Sequence, residues 1–178
     1  MNEKKVSSRY AKAIYSLAKE SNLQDTILND FTLILKTIGD SKEFSNLVES
    51  PIISSNKKYE VFKEVFEDSI SEITYNFIKL LTEKARENLI DDIAIEFELI
   101  YNEENNRLPV IIYSAIELDE EAKSQIQLKL SEWTNKTILS EYKVDPSLKG
   151  GLKIKISDWL FDASIQNQLD KLRTALAG

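Results

Sequence analysis

The sequence predicts an α+β protein, with a six-helix bundle over residues 1–104 and a small α/β domain over 105–178. The second domain should hold a three-stranded sheet containing a β-hairpin. Three observations lead there. Apolar residues recur at helical spacing from residue 2 to about residue 104, interrupted only by short polar breaks. Beyond "NEENNR" the pattern turns β-branched and alternating, in "LPVIIYSA", "TILSEYKV" and "LKIKI". Helical spacing then returns twice, in "DEEAKSQIQLKLSEW" and toward the C-terminus.

The six helices are expected over 3–20, 23–38, 41–49, 55–67, 70–85 and 87–104. Gly39 is placed to end the second helix, and Asp40 or Ser41 to cap the third. Ser50-Pro51 ends the third, because a residue before proline disfavours helical backbone, and Ser54 or Ser55 restarts the chain. "LPVIIYSA" suits a buried strand. Asp119 should cap the helix that follows, with Ala122, Ile126, Leu130 and Trp133 on one face. In "TILSEYKV", Ile138, Tyr142 and Val144 share a side. "LKIKI" alternates, with Leu152, Ile154 and Ile156 inward and Lys153 and Lys155 outward. The first two strands, joined by a helix, are expected to be parallel, and the second and third to form an antiparallel hairpin. A last helix carries Ile165, Leu169, Leu172 and Leu176 as its stripe.

Composition removes several classes of chemistry. The 178 residues include no histidine and no cysteine, which excludes Ser–His–Asp and Cys–His nucleophiles, His/Cys zinc sites, iron–sulfur clusters and disulfides. Carboxylates, lysine, tyrosine or a hard metal on oxygen ligands remain as options. A net charge of −7 argues against nucleic acid as the partner. No apolar run reaches the roughly 20 residues of a membrane span. The start, "MNEKKVSSRY", has neither the apolar core of a signal peptide nor the pattern of a transit peptide. A cytoplasmic protein is expected, with any membrane association made through partners.

Two readings compete at each candidate site. Gly150 and Gly151, flanked by lysines, suggest a phosphate cradle, but they precede a strand and no Lys-Ser or Lys-Thr follows. A structural turn opened by Asp145-Pro146 and closed by Gly150 and Gly151 fits better. Asp91-Asp92, Glu103-Glu104 and Asp119-Glu120-Glu121 could serve a magnesium site or general acid–base work. Helix neighbours point about 100° apart, so solvated faces explain them better. Helix one is apolar over roughly 200° of its circumference, about twice what one core contact needs. Val6, Tyr10, Ala13 and Leu17 would face the bundle, leaving Ala11, Ile14, Tyr15 and Ala18 as a second edge. That edge is either a groove for another protein's helix or part of a helix buried on several sides. Trp159, Leu160 and Phe161 are either a partner patch or core filling.

Together, "SRYAKAIYSLAKE", "SPIISSNKKYEVFKEVF", "YNEENNRLPVIIYSA" and "VDPSLKGGLKIKISDWLFDASIQNQLDKLR" resemble, in order and over nearly the whole chain, one family. It is the delta subunit of F-type ATP synthases, the bacterial counterpart of the oligomycin-sensitivity-conferring protein. Ser157 and Ala163 depart from it, standing where the family commonly has glycine; so does the end of helix five, which keeps Arg86 without the glycine often found before it. The resemblance implies a non-catalytic stator subunit with no cofactor, metal or active site. It implies that the helical domain binds the N-terminus of an alpha subunit between helices one and five. Tyr10, Ala11, Ile14, Tyr15 and Ala18 would contribute from the first, and Phe77, Leu80, Leu81 and Lys84 from the second. The C-terminal domain would meet the b-subunit peripheral stalk, at the cytoplasmic face of the cell membrane. An enzyme acting on a phosphorylated substrate, or an unrelated two-domain adaptor, are the alternatives.

Overall fold

A computed structural model of the chain describes residues 3–50, 52–67 and 69–167. The chain divides into two compact units between Tyr101 and Asn102. The first holds six α-helices: α1 (Glu3–Ser21), α2 (Gln24–Asp40), α3 (Lys42–Glu49), α4 (Ser55–Phe66), α5 (Glu72–Glu83) and α6 (Ile90–Glu104), the last of which runs across the division. A 3₁₀ turn, Glu87–Leu89, leads into α6 where continuous helix is expected from 87.

Local chemistry sets these boundaries. Gly39 lies inside α2 rather than at its end, and Ser41 separates α2 from α3, its hydroxyl accepting from Phe44 N at 3.2 Å. Pro51 lies outside the described residues. Ser71 caps α5 and is itself held from α2. The Asp30 carboxylate, 7% exposed, accepts from Ser71 N (3.0 Å), Ser71 Oγ (2.6 Å) and Thr74 Oγ1 (2.7 Å). A buried carboxylate is tolerated when its lone pairs are filled by such donors.

The bundle core is strung on edge-to-face aromatic pairs. Tyr10 of α1 meets Phe77 of α5 (6.3 Å between centroids), Phe77 meets Phe31 of α2 (6.1 Å), Phe31 meets Phe97 of α6 (5.2 Å), and Phe97 meets Tyr15 of α1 (5.4 Å). The circuit returns to the helix it began on. Each pair contributes about 0.5–1.5 kcal/mol beyond area burial, so four helices are tied by directional contacts.

The second unit is built on β1 (Arg107–Ser114), α7 (Glu120–Thr134), β2 (Thr137–Val144), β3 (Leu152–Ile156) and β4 (Trp159–Asp162). Asp119 caps α7, accepting from Ala122 N at 2.8 Å. The sheet is four-stranded, in the order β2-β1-β3-β4, where three strands are expected. β1 and β2 are parallel, as their helical connection implies. The expected β2–β3 hairpin does not form: β3 pairs antiparallel with β1, on the side away from β2. The hairpin is β3–β4, turning at Ser157, whose φ of 50° is the left-handed conformation that glycine favours. Alternation in "LKIKI" specifies a strand and its faces but not its neighbour. Val110, Ile112, Leu130 and Ile138 form the small core, with Leu152, Ile154 and Ile156 packed against it. Trp133, expected on the inner face of α7, is 76% exposed. A further helical stretch begins at Ile165. Leu169, Leu172 and Leu176 of its expected stripe lie outside the described residues.

Candidate functional site

The structural turn connects β2 to β3 across the β1 position instead of closing a hairpin. Asp145 opens it, accepting from Ser147 N (3.0 Å) and Ser147 Oγ (2.6 Å), which hold its carboxyl below the usual carboxylate range. Pro146 begins a 3₁₀ turn, Pro146–Leu148. Gly150 and Gly151 have φ of +153° and +75°. They lie under the segment leaving β4: Ile165 N donates to Gly150 O at 3.0 Å, and Ala163 N to Leu152 O at 2.9 Å. A Cβ on Gly151 would stand 2.4 Å from Ala163 O. The glycines therefore allow one strand of backbone to lie on another, which is the work of a turn.

The carboxylate groups fall at separate places. Asp91 and Asp92 are in the first turn of α6, Glu103 and Glu104 at its end, and Asp119–Glu121 at the start of α7. Among the described residues no three His, Cys, Asp or Glu side chains are placed to hold a metal ion. Asp91 stands apart: burial first, then the charges of Glu49 and Asp92, push its carboxyl above the usual range.

The flank shared by α1 and α5 is organised differently from the expected groove. Ala11, Ile14, Tyr15 and Ala18 belong to the bundle's own core, as do Phe77 and Leu81. Ser7, Ala11, Ile14 and Ala18 form the inward stripe, because two alanines and a serine let α1 sit deep among its neighbours. The close approach those alanines permit is used within the bundle. The opposite edge faces out. Tyr10 is half-buried against Phe77, while Ala13 and Leu17 are exposed further along the same side of α1. On α5, Leu80 is 41% exposed and Lys84 is exposed. Of the expected groove residues, Tyr10, Leu80 and Lys84 therefore reach the surface, and Ala13 and Leu17 join them. The signal that could have separated the edges is the serine: Ser7 extends the small-residue stripe by one turn.

The second unit presents a groove of about 640 Å³ between α7 and the β3–β4 hairpin. Leu130 and Trp133 form one wall, Ile154 and Ile156 the floor, and Trp159, Leu160 and Phe161 the other wall. Trp159 is 83% exposed and Phe161 67%. Apolar residues so uncovered on an edge strand mark a contact surface. Trp159, Leu160 and Phe161 are strand β4 itself, and Trp133 faces them across the groove, a pairing the sequence does not reveal.

Comparison with known proteins agrees over the whole length. The model of the ATP synthase delta (OSCP) subunit family matches residues 6–176. ATP synthase subunit delta of Chlorobaculum parvum is 34% identical over 170 residues, covering 96% of this chain and 94% of its own. That of Chloroherpeton thalassium is 33% identical over 172 residues, covering 97% and 94%. A chain in the Toxoplasma gondii mitochondrial ATP synthase hexamer shares the fold, with a TM-score of 0.74 at 20% identity over 97% of both chains. With the family model matched over residues 6–176, this chain belongs to the ATP synthase delta (OSCP) subunit family, stator components of the F-type ATP synthase that are not catalytic.

Proposed function

We propose that this chain holds the catalytic head of the synthase to its peripheral stalk through two apolar surfaces, one on each compact unit. The α1–α5 flank, with Tyr10, Ala13, Leu17, Leu80 and Lys84, receives the N-terminal helix of an alpha subunit. The groove between α7 and the β3–β4 hairpin receives the end of the b-subunit stalk. Assembly at the cytoplasmic face of the cell membrane completes the reading. Among the described residues no helix is long and apolar enough to cross a membrane, so membrane attachment would come through the complex.

The observation that supports this most is that each unit leaves large apolar side chains uncovered. Leu17 and Leu80 are so placed on the first unit, and Trp133, Trp159 and Phe161 on the second. A stator contact must outlast many turnovers, and nanomolar binding corresponds to about 12 kcal/mol. Burial of apolar surface at about 25 cal/mol per Å² can supply that after association costs are met. No reacting group is required.

Titration of the full-length chain with a peptide from the cognate alpha N-terminus tests the first contact. Leu17→Asp with Leu80→Asp is expected to weaken binding by at least about tenfold, roughly 1.4 kcal/mol, with an unchanged melting temperature. Undiminished binding would remove the α1–α5 flank from the contact.

A further inference from the structure

The far side of α1 from Tyr10 carries Lys4, Lys5, Arg9 and Lys12, four cations within three helical turns of a chain whose net charge is −7. With Ser8 and with Glu96 of α6 they line a cleft of about 530 Å³. None of the four cations, nor Glu96, lies within ion-pairing distance of an opposite charge among the described residues. Lys5 and Arg9 are spaced i,i+4 and Arg9 and Lys12 i,i+3, where like charges destabilise a helix. They also stand near the helix N-terminus, where the backbone dipole is already positive. Among the described residues no close ion pair offsets this repulsion, and Glu96 faces it only across the cleft. A carboxylate-bearing ligand would relieve it.

We propose that this cleft docks an acidic polypeptide segment of a partner subunit, its carboxylates pairing with Lys5, Arg9 and Lys12. Charge complementarity selects the occupant. The cleft is concave and bounded by two helices, which suits a single chain better than the plane of a bilayer. Ile95 and Leu99, outside the cleft lining on the neighbouring face of α6, stand half exposed, within reach of a polypeptide that extends beyond the cleft but not of a free phosphate. The site lies on the opposite flank of α1 from the proposed alpha-subunit contact, so both can be occupied at once and each tested alone.

The test is fluorescence anisotropy of a labelled deca-glutamate peptide titrated with the full-length chain at low salt, beside phosphatidylglycerol-containing vesicles. Binding should be lost as salt rises and weaken by at least about tenfold in Lys5→Glu, Arg9→Glu, Lys12→Glu. A neutral triple glutamine variant should lose less, and Leu80→Asp should bind as wild type. The triple glutamine variant, in which the repulsion is removed, should melt at or above the wild-type temperature. In the charge-reversed chain glutamates repel at the same spacings, so a cooperative melt is required of it only as evidence of folding. Equal affinity in the charge-reversed chain, no binding of the peptide, or capture by vesicles in preference to it would each overturn the proposal.

Discussion

Lys58 of α4 is an ammonium group with 3% of its side chain exposed, held by the Val48 carbonyl at 2.7 Å and by Glu87 at 2.8 Å. It ties α4 to the end of α3 and to the 3₁₀ turn before α6, and Glu87 Oε2 has no hydrogen-bond partner among the described residues. A buried ion pair is worth little against a well-packed apolar pair, but removing one member strands the other charge. Lys58→Met alone should cost about 3–5 kcal/mol, whereas Lys58→Met with Glu87→Leu should recover most of the loss; urea unfolding of the three variants measures both. Asp91 gives the pH-dependent counterpart. Its carboxyl is pushed up chiefly by burial, so between the unfolded and folded pKa values the folded state binds more protons. Stability from this group therefore falls as pH rises through that window, and at neutral pH its charge works against the fold. Asp91→Asn should raise the melting temperature at pH 7, with the advantage shrinking as pH falls through the raised folded-state pKa and gone below the ordinary aspartate value. A variant no more stable than wild type at pH 7 would place the cost of Asp91 elsewhere.

The connection from β2 to β3 shows how an element can be legible while its neighbours are not. Gly151 sits at φ +75° with Ala163 O where a Cβ would be, so Gly151→Ala should destabilise the second unit by more than about 2 kcal/mol. Gly150 faces the flexible end of Ile165, and Gly150→Ala should cost less. Equal melting temperatures for the two would mean that the 163–165 segment moves aside freely. The sequence shows that these glycines turn the chain, and the strands on either side, because local propensity and alternation carry that information. It does not show that β3 crosses to the far side of β1, since pairing partners are chosen by tertiary packing. Strand β4 was legible only as the cluster Trp159–Phe161, too short and too apolar to alternate. Helix boundaries were read within a few residues wherever a serine or aspartate cap marked them, as at Ser41 and Asp119. The same limit reversed α1: its apolar arc is wide enough for either edge to face inward, and only the neighbours decide. Most of the expected groove residues, Ala11, Ile14, Tyr15, Ala18, Phe77 and Leu81, thus lie on the buried sides of their helices.

For the molecule as a whole, a stator needs stiffness within each unit and durable contact at both ends, and the two requirements fall on different residues. The aromatic circuit Tyr10–Phe77–Phe31–Phe97–Tyr15 supplies stiffness in the first unit. The contact residues proposed outside it, Leu17 and Leu80, can change without opening that core. In the second unit both tryptophans of the chain, Trp133 and Trp159, face each other across the apolar groove, 76% and 83% exposed. Their emission is therefore that of water-exposed indole, and an apolar segment entering the groove should shift it to shorter wavelength. If the groove is where the stalk docks, a peptide from the C-terminal end of the cognate b subunit should produce that shift in the full-length chain. An alpha N-terminal peptide, binding a unit without tryptophan, should leave it unchanged. Trp133→Phe and Trp159→Phe should each retain part of the shift, since the indoles line opposite walls. Saturating stalk peptide with no blue shift would move the stalk contact off this groove, and a shift produced by the alpha peptide would break the assignment of one partner to each unit.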